Sequence, residues 1–406
     1  MDLETLKKLD YNFVLHSYAK MEVNFVLGKN CTLYTQCGKD FIDFGSGIGV
    51  CSVGHSNPIL NHCIKEQVDQ LIHISNLYPN QPQVLLAEKI VELSKMPARV
   101  FFSNSGAEAN ETAIKIARKF GEEEGGIKRY KIITLKSSFH GRTLATLRAT
   151  GQEKLHRYFS PFPDGFCIAE DILDIYNLID SQTCAVMLEL IQGEGGVNAF
   201  DKKQIQDLAI FLKEKKILLI VDEVQTGIYR SGEVFASHKY GILPDIITLA
   251  KGLGGGIPIG VTLTTLKDIF APGDHGSTFG GNFLSSRAAL CVLEILEKEF
   301  QSGAIALRIK HFDAYLRKIQ EEFSDLFSGI SGMGLMRGLK TKNVGLQNLV
   351  IRNAFEERLL VLKSGSDIVR FLPALTISDE EMRLGFERLR NACLKTMEQN
   401  SNSLAC

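Results

Sequence analysis

Three short segments place chemically useful side chains where a strand gives way to a turn. Ser103-Asn104-Ser105-Gly106-Ala107-Glu108-Ala109-Asn110 reads as a strand end followed by a helix start. Ser105 and Glu108 fit the S-x-x-E capping box. Gly106 lets an anion approach backbone N–H groups that have no intrahelical partner, so this end suits a phosphate, or is an ordinary capped helix. Val221-Asp222-Glu223 closes a run of aliphatic residues. A carboxylate there can pair with a cationic ring nitrogen, bind a metal, act as a base, or be a solvated loop acid. Lys251 follows Asp222 by 29 residues, in Leu249-Ala250-Lys251-Gly252. Its small neighbours leave the amine sterically open. A desolvated amine beside other cations has a lowered pKa and can attack a carbonyl to form an imine. Alone, such a lysine also suits a plain surface.

The glycines after Lys251 fit neither common nucleotide pattern. Ile257 stands where G-x-G-x-x-G requires its third glycine, and no G-x-x-x-x-G-K-[ST] is present. Ser277-Thr278-Phe279-Gly280-Gly281-Asn282 supplies hydroxyls and backbone donors suited to a phosphate. Ser138–Thr143 puts Arg142 near the aromatic Phe139, and Arg370 follows Ile368-Val369. Two arginines suit a substrate with two carboxylates, because guanidinium binds carboxylate bidentately; each also suits a structural ion pair.

The elements that must position these residues alternate between strand and helix. Strands are predicted at Arg99–Phe102, Lys131–Leu135, Cys184–Glu189, Ile217–Val221 and Asp245–Leu249, with helices at Ala107–Phe120 and Ile205–Lys216. Ile217–Val221 is aliphatic without alternation, as in a parallel strand buried on both faces. The pattern implies an α/β layered domain with ligands at the carboxyl ends of its strands. After Gly281 come long helices at Leu284–Phe300 and Ala304–Phe323. Short segments follow at Gly334–Leu339, Leu359–Val361 and Ile368–Phe371, then a helix from Asp379 to Glu398. This reads as a smaller α+β domain. The expected division is 1–50 packing with the small domain, 51–290 as the large domain and 291–406 as the small one. A strand pair is expected around Cys31–Tyr34 and Phe41–Phe44, and the polar tail from Asn400 to Cys406 is expected to fray.

The chain has 406 residues, enough for two domains with a large core. Lys+Arg is 46 and Asp+Glu is 47, a balance that argues against a broad basic nucleic-acid-binding face. Nine cysteines are scattered with no Cys-x-x-Cys, and there is no His-Glu-x-x-His. This disfavours a metal site or disulfide framework and suits a reducing cytoplasm. Met1–Tyr11 is charged and does not read as a secretory signal, and no apolar run approaches membrane-spanning length.

Six segments, Ser103–Asn110, Phe139–Thr143, Glu189–Gly196, Val221–Gly227, Ala250–Gly256 and Ser277–Asn282, resemble in order the motifs of the subgroup III pyridoxal-phosphate-dependent aminotransferases. The resemblance runs from about Asn24 to Ser378. Within the subgroup it is nearest the acetylornithine aminotransferases, on Ser75-Asn76-Leu77-Tyr78, on Gln83–Glu88 and on Phe139. Leu190 and Ala374 depart from it, each standing where a proline is usual.

The resemblance implies a fold-type I α/β enzyme: a large domain with a mostly parallel central sheet plus a smaller α+β domain. It implies pyridoxal 5'-phosphate as cofactor, a cytoplasmic homodimer with shared active sites, and small-molecule substrates. The implied reaction converts N2-acetyl-L-ornithine and 2-oxoglutarate into N-acetyl-L-glutamate 5-semialdehyde and L-glutamate, in arginine biosynthesis. Related enzymes act on ornithine, succinyl-diaminopimelate or 4-aminobutyrate. By resemblance Lys251 holds the cofactor covalently and shuttles a proton, and Asp222 keeps the ring nitrogen protonated. Gly106 and Ala107, with Thr278 of the partner subunit, cradle the phosphate. Phe139 stacks on the ring and Gln225 bonds its 3' oxygen. Arg142, with Ser277 beside it, takes the distal carboxylate. Arg370 takes the carboxylate on the reacting carbon, and Glu189 neutralises Arg370 when that carboxylate is absent. Because Lys251 and Asp222 are both present, a scaffold that has lost catalysis is disfavoured.

Overall fold

A computed structural model of the chain describes residues 1–123 and 128–404. Its centre is a seven-stranded sheet in the order Arg99–Ser103, Gly260–Thr264, Ile246–Leu249, Leu218–Asp222, Thr183–Leu188, Lys131–Leu135, Phe166–Ala169. All neighbours pair in parallel except those of Gly260–Thr264, which is antiparallel to both of its partners. That strand is absent from the sequence reading, because a five-residue segment directly after a glycine-rich turn looks like more loop. It is buried throughout, and its Thr262 hydroxyl is satisfied by the Ala109 carbonyl at 2.8 Å.

The aliphatic strand is buried on both faces as expected. Leu219 and Val221 pack with Ile205, Leu208 and Leu212 of the helix Lys202–Glu214. Leu218 and Ile220 face the opposite way, toward Ala113, Ile116 and Ala117 of the helix Gly106–Glu123. Alternation along a strand therefore points Asp222, the next residue in that second series, toward the Gly106 helix.

The later half of the chain builds a four-stranded antiparallel sheet from Phe327–Met333, Met336–Thr341, Ile368–Phe371 and Leu362–Ser364. The first of these strands was not expected. Its Phe-Ser-Gly-Ile-Ser-Gly-Met sequence carries two glycines and little apolar alternation. Leu359–Leu360 leaves this sheet to pair in parallel with Asp40–Asp43, so the N-terminal strands Phe25–Lys29, Thr32–Thr35 and Asp40–Asp43 are joined to the C-terminal segment. The last helix runs from Asp379 to Leu404, longer than expected, and residues 405 and 406 of the expected frayed tail lie outside the described residues.

Among the described residues no helix is long and apolar enough to cross a membrane, no cluster of His, Cys, Asp and Glu could hold a metal ion, and the cysteines are free.

Candidate functional site

Asp222, Glu189, Lys251 and Gly106 all fall at the carboxyl ends of central strands, where the turns open outward. Asp222 is 3 % exposed, and its carboxylate accepts three hydrogen bonds. Oδ2 accepts from Asn110 Nδ2 at 2.7 Å and from His140 Nδ1 at 2.8 Å, and Oδ1 accepts from Val224 N at 3.0 Å.

Lys251 opens a short 3-10 turn with φ of +39°. The turn is pinned because Ser52 Oγ donates to the Gly252 carbonyl at 2.6 Å. The residue keeps partial exposure to the cavity, while protein groups surround its amine. Burial is the main influence lowering its pKa; Arg370 lowers it further, and Glu194, Asp222 and Glu189 oppose.

The Gly106 helix begins as its sequence suggests. Ser105 Oγ accepts from Glu108 N at 3.2 Å and donates to Glu108 Oε2 at 3.1 Å. The return bond lands one residue early: Glu108 Oε2 accepts from Asn104 N at 2.8 Å. A Cβ on Gly106 would meet Val224 Cγ1 at 2.7 Å, so a side chain there collides with the wall beside Asp222.

Arg370 comes from the small sheet and is 2 % exposed. Nη1 donates to Glu194 Oε1 at 2.6 Å, to the Gly193 carbonyl at 2.9 Å and to Gln225 Oε1 at 3.3 Å, and Nη2 reaches Glu194 Oε2 at 3.3 Å. The carboxylate on Arg370 is therefore that of Glu194, and the expected pairing with Glu189 is not found. Glu189 is engaged elsewhere: Oε1 accepts from Phe139 N at 2.9 Å and Oε2 from Gly193 N at 3.1 Å. Burial, with the Asp222 charge adding to it, pushes the Glu189 carboxyl up to about 7. Burial also raises Glu194, but the charge and hydrogen bonds of Arg370, aided by Lys251, leave it below the usual carboxylate value.

Gly106, Ala107, Phe139, Arg142, Glu189, Asp222, Gln225 and Lys251 line one cavity of about 400 Å³; Arg370 and Glu194 are outside its lining, and Arg370 touches it through Gln225. Arg142 lies over the Phe139 ring, 5.5 Å from its centroid. Ser277 and Thr278 are not in its wall. Ser277 Oγ instead accepts from Asn104 Nδ2 at 3.1 Å and from Gly280 N at 3.0 Å, and Thr278 is exposed. A larger cavity, about 800 Å³, is walled by Lys136, Lys154, Lys340 and Lys363; it reaches Glu194 but neither Lys251 nor Asp222, so it is not where the chemistry converges.

Four residues of the site were not singled out in the sequence: Asn110, His140, Glu194 and Thr248. Three of them lie inside the quoted motifs, at Ser103–Asn110, Phe139–Thr143 and Glu189–Gly196, so the segments carried a signal that individual residue types did not. Thr248 has no such signal, being one threonine in a buried strand.

Comparison with known proteins places the whole chain. The family model for aminotransferase class-III matches residues 13–393. The chain is 61 % identical over 385 residues, 95 % of this chain and 98 % of the other, to the acetylornithine aminotransferase of Wolinella succinogenes. It is 42 % identical to the succinylornithine transaminase of Salmonella typhimurium, covering 91 % of each. The crystal structure of the ornithine aminotransferase from Toxoplasma gondii superposes with a TM-score of 0.92 at 29 % identity, covering 98 % of this chain and 96 % of that one. A family model that matches nearly the whole chain, and a relative 61 % identical over 95 % of it, show that the chain belongs to the class-III aminotransferases.

Proposed function

We propose that this protein transfers the terminal amino group of N2-acetyl-L-ornithine to 2-oxoglutarate, giving N-acetyl-L-glutamate 5-semialdehyde and L-glutamate in arginine biosynthesis. The observation that carries this reading is the 61 % identity, over 95 % of the chain, to a relative named acetylornithine aminotransferase.

Aminotransferases of this class work with pyridoxal 5'-phosphate, and the residues here fit it. A half-buried lysine has its amine proton weakened, a buried acid is ready for a cationic ring nitrogen, and a helix N-terminus at a glycine is ready for a phosphate. The bound cofactor supplies an aldehyde that takes up an amino group and a cationic ring that accepts the electron pair released when a C–H proton leaves.

The chain supplies the rest. Lys251 would hold the cofactor, then take a proton from the substrate carbon and deliver it to the carbon of the cofactor's aldehyde group. Asp222 would hold the ring nitrogen, Gly106 and Ala107 the phosphate, Phe139 one ring face and Gln225 the 3' oxygen. Arg142, at the exposed side of the cavity, would bind the distal carboxylate that both substrates carry. Arg370 would bind the carboxylate that only glutamate and 2-oxoglutarate carry on the reacting carbon. With acetylornithine, Glu194 would stay on Arg370 and spare it an unpaired charge in a buried site.

The working unit in this reading is a cytoplasmic homodimer divided at about residues 50 and 290. Thr278, exposed and outside its own chain's cavity, would complete the phosphate site of the partner subunit, with Ser277 beside the substrate there.

Comparing kcat/KM for acetylornithine, ornithine, succinylornithine, succinyl-diaminopimelate and 4-aminobutyrate tests the substrate assignment. Acetylornithine should give the highest value. A higher value for any other amine would replace the assignment while leaving the class unchanged.

A further inference from the structure

The Asp222 carboxylate is approached by a side chain with no direct part in the proposed chemistry. Asn110 lies on the first turns of the Gly106 helix and is 1 % exposed. Its amide makes three short contacts. Nδ2 donates to Asp222 Oδ2 at 2.7 Å and to the His140 carbonyl at 2.7 Å, and Oδ1 accepts from Thr248 Oγ1 at 2.7 Å. These bonds fix the direction of every proton. Thr248 Oγ1 must donate, since otherwise two oxygens would face each other. The Asn110 oxygen is then committed to Thr248, and both hydrogens of its NH₂ are committed to Asp222 and His140. A flipped amide would set its NH₂ against the Thr248 hydroxyl and bring two oxygens together at Asp222, a costly arrangement in a buried site.

We infer that Asn110, oriented by Thr248, is a positioning residue for Asp222: it presents a donor that only an acceptor oxygen can face, and so aims the carboxylate at the cofactor ring. This rests on the reading of Asp222 as the ring-nitrogen partner. His140 shares the task from the other side. Its Nδ1 faces Asp222 Oδ2 while its Nε2, fully buried, has no partner among the described residues. Since a carboxylate oxygen can only accept, the proton of this contact sits on Nδ1. Glu189, Glu223 and Lys251 are the other ionisable groups whose charges act together with that of Asp222.

The test is a spectroscopic titration of the cofactor-free enzyme with pyridoxal 5'-phosphate, alongside half-reaction kinetics. Thr248→Val removes one hydroxyl at nearly constant volume and should weaken cofactor binding roughly tenfold, as loss of a hydrogen bond feeding a charged group implies. Thr248→Ser should restore it. Asn110→Leu should weaken binding more, with a shifted absorption maximum of the bound cofactor. Asp222→Ala is run in parallel. If it weakens binding while Thr248→Val and Asn110→Leu bind as the parent does, Asn110 only packs and the inference is overturned. If Asp222→Ala itself binds as the parent does, the ring-nitrogen reading falls and the inference falls with it. Melting temperatures identify a variant that has merely lost its fold, in which case the Thr248 Val and Ser pair decides.

Discussion

Arg370 Nη1 donates to Glu194 Oε1 at 2.6 Å, and the two differ in how free they are to leave: the side chain of Arg370 is 3 % exposed and that of Glu194 is 27 % exposed. The guanidinium is also held by the Gly193 carbonyl, and its Nε has no partner among the described residues. Glu194 is therefore the member that can swing out when a substrate carboxylate arrives, while Arg370 stays. Arg370→Ala should slow the half-reaction with glutamate at least tenfold more than that with acetylornithine, since only glutamate brings a carboxylate that loses its partner. Glu194→Ala should do the reverse, leaving an unpaired cation opposite a methylene. Single-turnover kinetics of both half-reactions measures this, and equal losses for Arg370→Ala would make it purely structural.

Glu189 has a different task, and a pH experiment exposes it. Its carboxyl is pushed up to about 7, chiefly by burial, and Glu223, capping Ala236 and Ser237, is also raised to about 7 by burial. Between the unfolded carboxylate value near 4.5 and about 7 the folded state binds the extra proton. Each group then makes stability fall as pH rises through that window, by about 1.4 kcal/mol per unit where only the folded state is protonated. In the cofactor-free protein, Glu189→Gln should flatten this slope and gain stability relative to the parent toward pH 8. Melting curves from pH 4.5 to 8 compare the two. A parent-minus-variant difference that does not change with pH would remove the assignment.

The order of elements was legible because chemistry and burial leave opposite marks on a strand. Leu218–Val221 is uninterrupted aliphatic and Asp222 ends it, so both the sheet position and the acid could be read together. Ser105 and Glu108 announced the helix for the same local reason. The pairing of Arg370 was not legible, since Glu189 and Glu194 are two acids five residues apart in one motif. Which of them meets Arg370 depends on where Phe139 N and Gly193 N point, a tertiary fact. Asn110 was overlooked because an asparagine inside a helix has no periodic signature, and its role appears only when Thr248 and Asp222 come from other strands. Leu190, which stands where a proline is usual, is buried in the apolar layer, and its carbonyl accepts from Phe200 N and from the Tyr240 hydroxyl.

Gly106 should tolerate no side chain. A Cβ there would stand 2.7 Å and 3.0 Å from the two methyls of Val224, whose backbone N–H donates to Asp222. Relief requires Val224 to move, which loosens that donor and narrows the approach to the helix N-terminus. Gly106→Ala should therefore raise the concentration of pyridoxal 5'-phosphate needed for half-saturation by tenfold or more, on the ~1–3 kcal/mol scale of overpacking. Val224→Ala in the same chain should recover part of it. Cofactor titrations of the two variants decide, and a Gly106→Ala protein that binds as the parent does would move the phosphate site elsewhere.

Lys251 carries the sharpest expectation, because one lysine among the many on this chain is singled out by its surroundings. Burial lowers its proton affinity, and Arg370 lowers it further, so more of the amine is neutral and nucleophilic near neutral pH than for a solvated lysine. Its turn is rigid: Ser52 anchors Gly252, and Leu253 N and Gly254 N donate to the Ala250 and Lys251 carbonyls. Borohydride reduction of the holoenzyme followed by peptide mapping should place the cofactor label on Lys251. Lys251→Ala should abolish turnover while leaving the melting temperature of the cofactor-free protein near that of the parent, since the amine makes no hydrogen bond among the described residues. Lys251→Arg should be equally inactive, because a guanidinium keeps its proton and cannot act as the nucleophile. A label on any other lysine, or appreciable turnover by either variant, would remove Lys251 from the centre of the reaction.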